Sequence, residues 1–207
     1  MRAALIAFGN EESYGLLFVG GEMLEHKQDI RFFDAEMSDV AKQVVEWEPQ
    51  FIMFSPMTTF YPVALRTARE IKNLLPKVVS VFGGHHAMAC PEIIESDGID
   101  VVVVGPVRGA VEQILAGTKG VIRTTPTTPV DLPRPARKEY YRDIPRMADR
   151  YRKFVLSMTG CPWNCSYCSS DSGRKSSLPS RAGRSGVSWA SGRHTQDRAS
   201  VVEGAGG

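Results

Sequence analysis

Three cysteines stand within eight residues of one another in the segment Cys161-Pro-Trp-Asn-Cys165-Ser-Tyr-Cys168. Thiolates are ligands for soft metals and for iron-sulfur clusters. A loop this short keeps all three sulfurs close to one common centre. Ferredoxin-type sites use four cysteines with two residues between each of the first three, whereas here the intervals hold three and then two residues, and the fourth cysteine of the chain, Cys90, is far away in sequence. A four-iron cluster held by three thiolates leaves one iron open, and an open position on a metal is where a substrate or cofactor binds. On spacing alone two other readings stay open. One is a structural zinc site completed by His85, His86 or His194. The other is an incidental group of free thiols, against which the small and polar neighbours speak.

The elements that must position this loop begin with Phe154-Val155-Leu156, a short apolar run that reads as a strand and leads through Thr159-Gly160 into Cys161. Upstream, five β-branched or aromatic runs alternate with segments of helical period. They are Ala3 to Phe8, Ile30 to Asp34, Phe51 to Ser55, Val78 to Phe82 and Val101 to Val104. Each is too apolar for a strand with one wet face, so both faces are expected to be covered. Between them, Ala64, Ala68, Ile71 and Leu75 mark a helix over Tyr61 to Leu75 ended by Pro76. Val40, Val44 and Trp47 mark another, with Ser38 as its expected cap, and Ala110, Val111, Ile114 and Leu115 a last one closed by Gly117. Tyr14 to His26 is expected to be a weaker helix because of Gly20-Gly21. The fold class is therefore α/β, a doubly wound five-stranded parallel sheet of flavodoxin-like type.

Such sheets bind ligands beyond the carboxyl ends of their strands. That edge carries Gly9-Asn10-Glu11 after the first strand, Ser55-Pro56-Met57-Thr58-Thr59 after the third, Gly83-Gly84-His85-His86 after the fourth and Gly105-Pro106-Val107 after the fifth. Small and hydroxyl residues gather there. Strand-to-helix turns favour the same residue types without any ligand.

The α/β domain is placed at residues 1–118 and a proline-rich linker at 119–152. Residues 153–171 are read as the start of a second domain with the cysteine loop, and 172–207 as a tail. In that tail Ser, Gly and Arg contribute eight, seven and five of 36 residues, a composition that builds no core, so disorder is expected. Its onset directly after the cysteine loop leads to the expectation that the natural sequence is lost after about Asp171 through truncation, frameshift or an erroneous gene model. A formal net charge of +2 gives little attraction for nucleic acid. The apolar start Met1 to Phe8 is too short for a secretory signal, and no run approaches the roughly 18 residues of a membrane span. A cytoplasmic, reducing location is expected, where cysteines serve as thiols or ligands.

With Tyr167 as the aromatic of Cys-x-x-x-Cys-x-aromatic-Cys, the segment resembles the radical S-adenosylmethionine (SAM) superfamily. The resemblance implies that Cys161, Cys165 and Cys168 ligate a 4Fe-4S cluster whose open iron binds the amino and carboxylate groups of SAM. One electron then cleaves SAM to methionine and a 5'-deoxyadenosyl radical. Tyr167 would lie beside the adenine, and the electron would come from a flavodoxin- or ferredoxin-type reductant.

The preceding domain is similar to the cobalamin-binding radical SAM proteins, among them the anaerobic magnesium-protoporphyrin cyclase and radical methyltransferases. The matching stretches include Tyr14-Gly15-Leu16, Asp34-Ala35-Glu36, the Ser55 loop, Val81 to His86, Ile99 to Gly105 and Asp131 to Arg137. What this implies is a cobalamin in contact with Asn10, Ser55, Met57, Thr58, Thr59, Gly83, Gly84, His85 and Gly105, and radical methyl transfer or cyclisation on an unknown small molecule. The chain departs from the family in having Gly105-Pro106-Val107-Arg108 where an acidic turn is usual. It also lacks Asp-x-His-x-x-Gly around Asn10 to Gly15, so any cobalamin is expected to have no histidine ligand from that loop. Adjacent His85 and His86 point apart, with a hydrogen-bonding role expected for one and solvent for the other. Cys90 is expected at a helix entry or in packing. Glu11 and Glu12 are expected to be solvated loop charges. The alternative function is a cobalamin-binding module that catalyses nothing because the barrel is missing.

Overall fold

Apolar runs that bury both faces of a strand must be sandwiched between helices, and the computed structural model, which describes residues 1–125, 132–150 and 152–156, has this arrangement. Strands β1 (Arg2–Ala7), β2 (Asp29–Asp34), β3 (Phe51–Phe54), β4 (Val79–Phe82), β5 (Val101–Val104) and β6 (Gly120–Arg123) form one sheet. Its order is β2-β1-β3-β4-β5-β6 and every pairing is parallel. The fold class agrees with the expectation, but the sheet has six strands and not five. The sixth was hidden because only Ile122 of its four residues is buried and its Val121 is exposed, so it carries no apolar run.

Side chains alternate across the strands with period two. Ala3, Leu5, Met53, Val81 and Val103 face one layer, made by α1 (Tyr14–Glu25) and α5 (Ala110–Leu115). Ala4, Ile6, Ile52, Phe54 and Val102 face the other, made by α2 (Val40–Trp47), α3 (Tyr61–Leu74) and α4 (Gly84–Ala89). The expected seam of α3 is present, with Ala64, Ala68 and Ile71 fully buried. The N-cap position of α2 is held by Asp39 and not Ser38, without a side-chain hydrogen bond to the first turn. Cys90 follows the end of α4 and packs against the second layer as a free thiol.

The segment read as a linker also supplies α6 (Arg137–Asp143) and α7 (Pro145–Ala148). These complete the first layer through the buried Tyr140, Ile144 and Met147. Tyr140 meets Phe32 edge to face at 5.0 Å between ring centres. Phe32 belongs to the edge strand β2, and its N–H donates to Asp143 Oδ2 at 2.9 Å. An open sheet edge exposes such donors, and here α6 caps one.

Gly20-Gly21 does not interrupt α1, which runs unbroken from Tyr14 to Glu25. The pair makes room for the chain ahead of α6. A β-carbon at Gly20 would lie 3.0 Å from Ala136 Cβ, and one at Gly21 would lie 1.9 Å from the Arg134 carbonyl oxygen. Ala136 N–H donates to Leu17 O at 2.9 Å, so the crossing segment is hydrogen-bonded to the helix it covers. No helix among the described residues is long and apolar enough to cross a membrane.

Candidate functional site

The carboxyl edge of the sheet holds an apolar slot of about 180 Å³. Its floor is Met53, Val81 and Val103, one residue from each of three neighbouring strands. Phe18 and Val19 of α1 form one wall, Val111 and Ile114 of α5 the other, and Leu132 also lines it. The slot lies between α1 and α5, which cover the same face of the sheet. It opens at the carboxyl ends of parallel strands, where sheets of this kind bind ligands.

Ser55 sits at the mouth between two glycines. A β-carbon on Gly15 would come within 2.3 Å of Ser55 Oγ, and one on Gly84 within 2.4 Å. Gly84 also has φ +82°, a conformation that favours glycine. Side chains at these positions would fill the space in front of Ser55. Gly83 and Gly105 line the slot as well.

The structure thus brings together four of the residues expected from sequence, Ser55, Gly83, Gly84 and Gly105. Met57, Thr58 and Thr59 lie on an exposed 3-10 turn beside it and do not line it. Thr58 Oγ1 lies 3.2 Å from His86 Nδ1, and the His86 ring packs on Tyr61 at 4.3 Å between centres. His86 is buried and His85 is exposed, but the pair stands in α4 and not in an extended turn, so the helical step between successive residues is what turns them apart. Asn10 is also outside the slot, and its Oδ1 accepts a hydrogen bond from Arg146 Nη1 at 2.9 Å. The same guanidinium donates to Gly9 O at 3.1 Å and to Asp34 at the end of β2. Burial alone would raise the Asp34 pKa. Hydrogen bonds from Arg146 and the Glu36 N–H, with the Arg146 charge, outweigh it and hold the carboxyl below its usual range.

Where the resembled proteins carry an acidic turn, Arg108 Nη1 donates to Glu25 Oε2 at 2.6 Å and lies 3.0 Å from Oε2 of the buried Glu22. These ion pairs tie the loop entering α5 to α1, so the two walls of the slot are joined across its side.

Glu12 overturns one expectation. It is buried, not solvated, with only 1% of its side chain exposed. The Tyr141 hydroxyl donates to Glu12 Oε1, and Phe154 N–H donates to Oε2 at 3.3 Å. Arg137 and Lys153 each bring a cationic nitrogen within 3.9 Å. Burial, then the hydrogen bond and charge of Glu12, push the Tyr141 phenol up to about 12.

Sequence reasoning also missed the apolar walls. The signal was present in Phe18, Val19, Val111 and Ile114, but apolar residues on an amphipathic helix read as core whether or not a slot opens between two helices. Cys161, Cys165, Cys168 and Tyr167 lie outside the described residues. Among the described residues no three His, Cys, Asp or Glu side chains gather as metal ligands.

Residues 9–115 match the family described as the B12 binding domain. Among curated proteins the chain is similar to an uncharacterized methyltransferase of Pyrococcus horikoshii, with 26% identity over 190 residues. That alignment covers 75% of this chain and 40% of the relative, so the chain spans well under half of the relative's length.

Proposed function

The chain belongs to the family of B12 binding domains, and on that premise we propose that it holds cobalamin at the carboxyl edge of its sheet for radical SAM chemistry at Cys161, Cys165 and Cys168. The observation that carries the cobalamin part is the slot with its glycine-flanked mouth, which lies within the matched region except for Leu132. The residues present fit the group. A dry slot of about 180 Å³ accepts a flat aromatic group such as cobalamin's benzimidazole and is far too small for a corrin ring. Ser55, Gly84 and Gly105 would then hold the polar part of the ligand where backbone can approach it.

Cobalamin, when bound, supplies a cobalt centre for methyl or one-electron transfer. The protein's own residues bind and orient. Apolar walls exclude water from the slot, Ser55 offers a hydroxyl at its mouth, and Thr58 with His86 fixes the neighbouring turn. No histidine stands in the loop from Asn10 to Gly15 to reach the cobalt. The cysteine spacing, three residues and then two, supports a 4Fe-4S cluster with one open iron for SAM, with Tyr167 beside the adenine. The name of the Pyrococcus horikoshii relative supports methyl transfer over cyclisation. The electron would come from a flavodoxin- or ferredoxin-type protein, and the substrate is a small molecule whose identity the slot does not encode.

Anaerobic reconstitution of the chain with iron and sulfide, then titration with hydroxocobalamin and an assay for 5'-deoxyadenosine, tests this reading. Four irons lost on Cys161→Ala, together with SAM cleavage, are the expected result. One zinc and no iron would overturn the cluster. Cobalamin binding without SAM cleavage would leave a binding module.

A further inference from the structure

A carboxylate is costly to bury unless cations and hydrogen-bond donors surround it. Glu12 sits between the exposed Glu11 and the partly exposed Ser13, in the loop that leads from β1 to the slot-lining Gly15, yet its own side chain is 1% exposed. All four groups that compensate it come from the far end of the described chain: Tyr141, Phe154, Arg137 and Lys153. None lies within the matched family region, residues 9–115. The burial of Glu12 is therefore not needed to build the sheet domain. It is a consequence of the later segment docking there.

The docking is made through backbone groups. Phe154 N–H donates to Glu12 Oε2 at 3.3 Å, and Phe154 C=O accepts from Arg137 Nη2. Glu12 and Arg137 themselves lie 3.9 Å apart, so an ion pair grips both polar groups of one residue. The Phe154 ring adds an edge contact with Tyr14 at 6.4 Å, and Tyr14 lies under the Arg137 guanidinium at 5.8 Å. Lys153 Nζ donates to Met147 O at 2.6 Å and Ala148 O at 3.0 Å, and lies 4.2 Å from the centre of the Tyr141 ring. Arg146 reaches the same loop independently, through Gly9 O and Asn10 Oδ1.

We propose that Glu12 is a positioning residue: its carboxylate clamps residues 152–156 against the loop at the mouth of the B12 slot and so fixes the point from which the cysteine loop departs. Cys161 follows Phe154 by seven residues. Seven residues of extended chain reach at most about 25 Å, so clamping Phe154 limits how far Cys161, the first of the three thiols, can lie from the cofactor edge. Without the clamp Phe154 would lose its hold on the loop, leaving the Lys153 contacts with Met147 O and Ala148 O as the nearest tether, and the thiols could be carried further from the slot. The proposal rests on the reading of Cys161, Cys165 and Cys168 as a cluster site, and its first measurement does not depend on it.

The experiment uses the full chain, with Glu12→Gln, Glu12→Ala and Arg137→Gln as variants. Limited trypsin digestion, without any cofactor, follows cleavage after Arg152 and Lys153. Cleavage is expected to be about tenfold faster in Glu12→Ala than in the wild type, and intermediate in Glu12→Gln, which keeps an acceptor for Phe154 N–H but loses the charge. The second measurement is electron paramagnetic resonance of the reconstituted chain holding cob(II)alamin and the reduced cluster. Dipolar coupling between the two centres is expected in the wild type and is expected to weaken in Glu12→Ala and Arg137→Gln while both centres remain bound. Wild-type cleavage rates and unchanged coupling in these variants would overturn the clamp. If Glu12→Ala fails to fold, Glu12→Gln and Arg137→Gln decide the matter. A wild-type chain that binds neither cobalamin nor iron would refute the proposed function, and the trypsin rates would still test the clamp.

Discussion

Gly21 of α1 and Arg134 are in backbone contact, since a β-carbon on Gly21 would lie 1.9 Å from the Arg134 carbonyl oxygen. The helix that opens the slot is thus held from behind by the segment that leads to α6, and Ala136 N–H donating to Leu17 O fastens the two at 2.9 Å. Close approach of this kind is available only where one partner has no side chain.

Replacing Gly21 with alanine should therefore destabilise the chain, against the usual gain. Alanine improves helix propensity by about 1 kcal/mol. The collision with backbone forces the crossing segment to move, and overpacking of this kind costs about 1–3 kcal/mol or more. A net loss of up to about 2 kcal/mol, or more, is expected from the difference between the two effects. Urea denaturation measures it, and a midpoint equal to or above that of the wild type would contradict the contact.

Ser55→Leu should block the slot. Gly15 and Gly84 leave no room on either side of residue 55, so a larger side chain must point into the opening. Hydroxocobalamin affinity is expected to fall at least about tenfold, equivalent to about 1.4 kcal/mol, with the far-ultraviolet circular dichroism unchanged. Undiminished binding would place the cofactor elsewhere.

Asp100→Asn should flatten the acid limb of the stability curve. Burial works to raise the Asp100 pKa, but hydrogen bonds from Lys72 and from Ser80, with the Lys72 charge, outweigh it and hold the carboxyl below its ordinary value. A depressed carboxyl stabilises the fold above its unfolded pKa, about 4, and that contribution disappears as pH falls through the lower folded value. Wild type minus variant stability, measured by denaturation between pH 6 and pH 2, should shrink as the pH drops below about 4. A constant difference would show that the charge of Asp100 contributes nothing.

Arg146→Met should strip Asp34 of its bidentate partner while leaving the carboxylate only 11% exposed. Breaking a fully buried pair costs about 3–5 kcal/mol, and because Arg146 itself is 34% exposed the expected loss here is smaller, about 1–3 kcal/mol. Thermal unfolding checks this. Asp34→Asn in the Arg146→Met background should restore part of the loss, because the uncompensated charge is then gone.

Much of the fold could be read before any coordinates. Five strands announced themselves because residues such as Val101, Val102 and Val103 are covered on both faces and must be apolar without interruption. β6 gave no such signal, because its outward Val121 is exposed and only Ile122 is buried. The glycine and serine loops of the site were legible as turns at one sheet edge, since residue type and strand order are enough to place them there. Which of them meet was not. Ser55, Gly83, Gly84 and Gly105 share a slot while Asn10 and Met57 do not, and that depends on where α1 and α5 lie over the sheet.

The three-cysteine spacing is a property of the covalent chain and was legible in the sequence by itself, and so was the alternation of strands and helices, which local periodicity encodes. The tertiary structure alone decided that Glu12 is buried and that Gly20-Gly21 makes room for a crossing segment. In both cases the deciding partner lies more than 110 residues along the chain. A carboxylate in a loop is solvated or clamped according to what docks on it, and a glycine pair is a weakness or a contact according to what crosses it. No local pattern carries that information, because the free energy concerned arises only when the distant segment arrives.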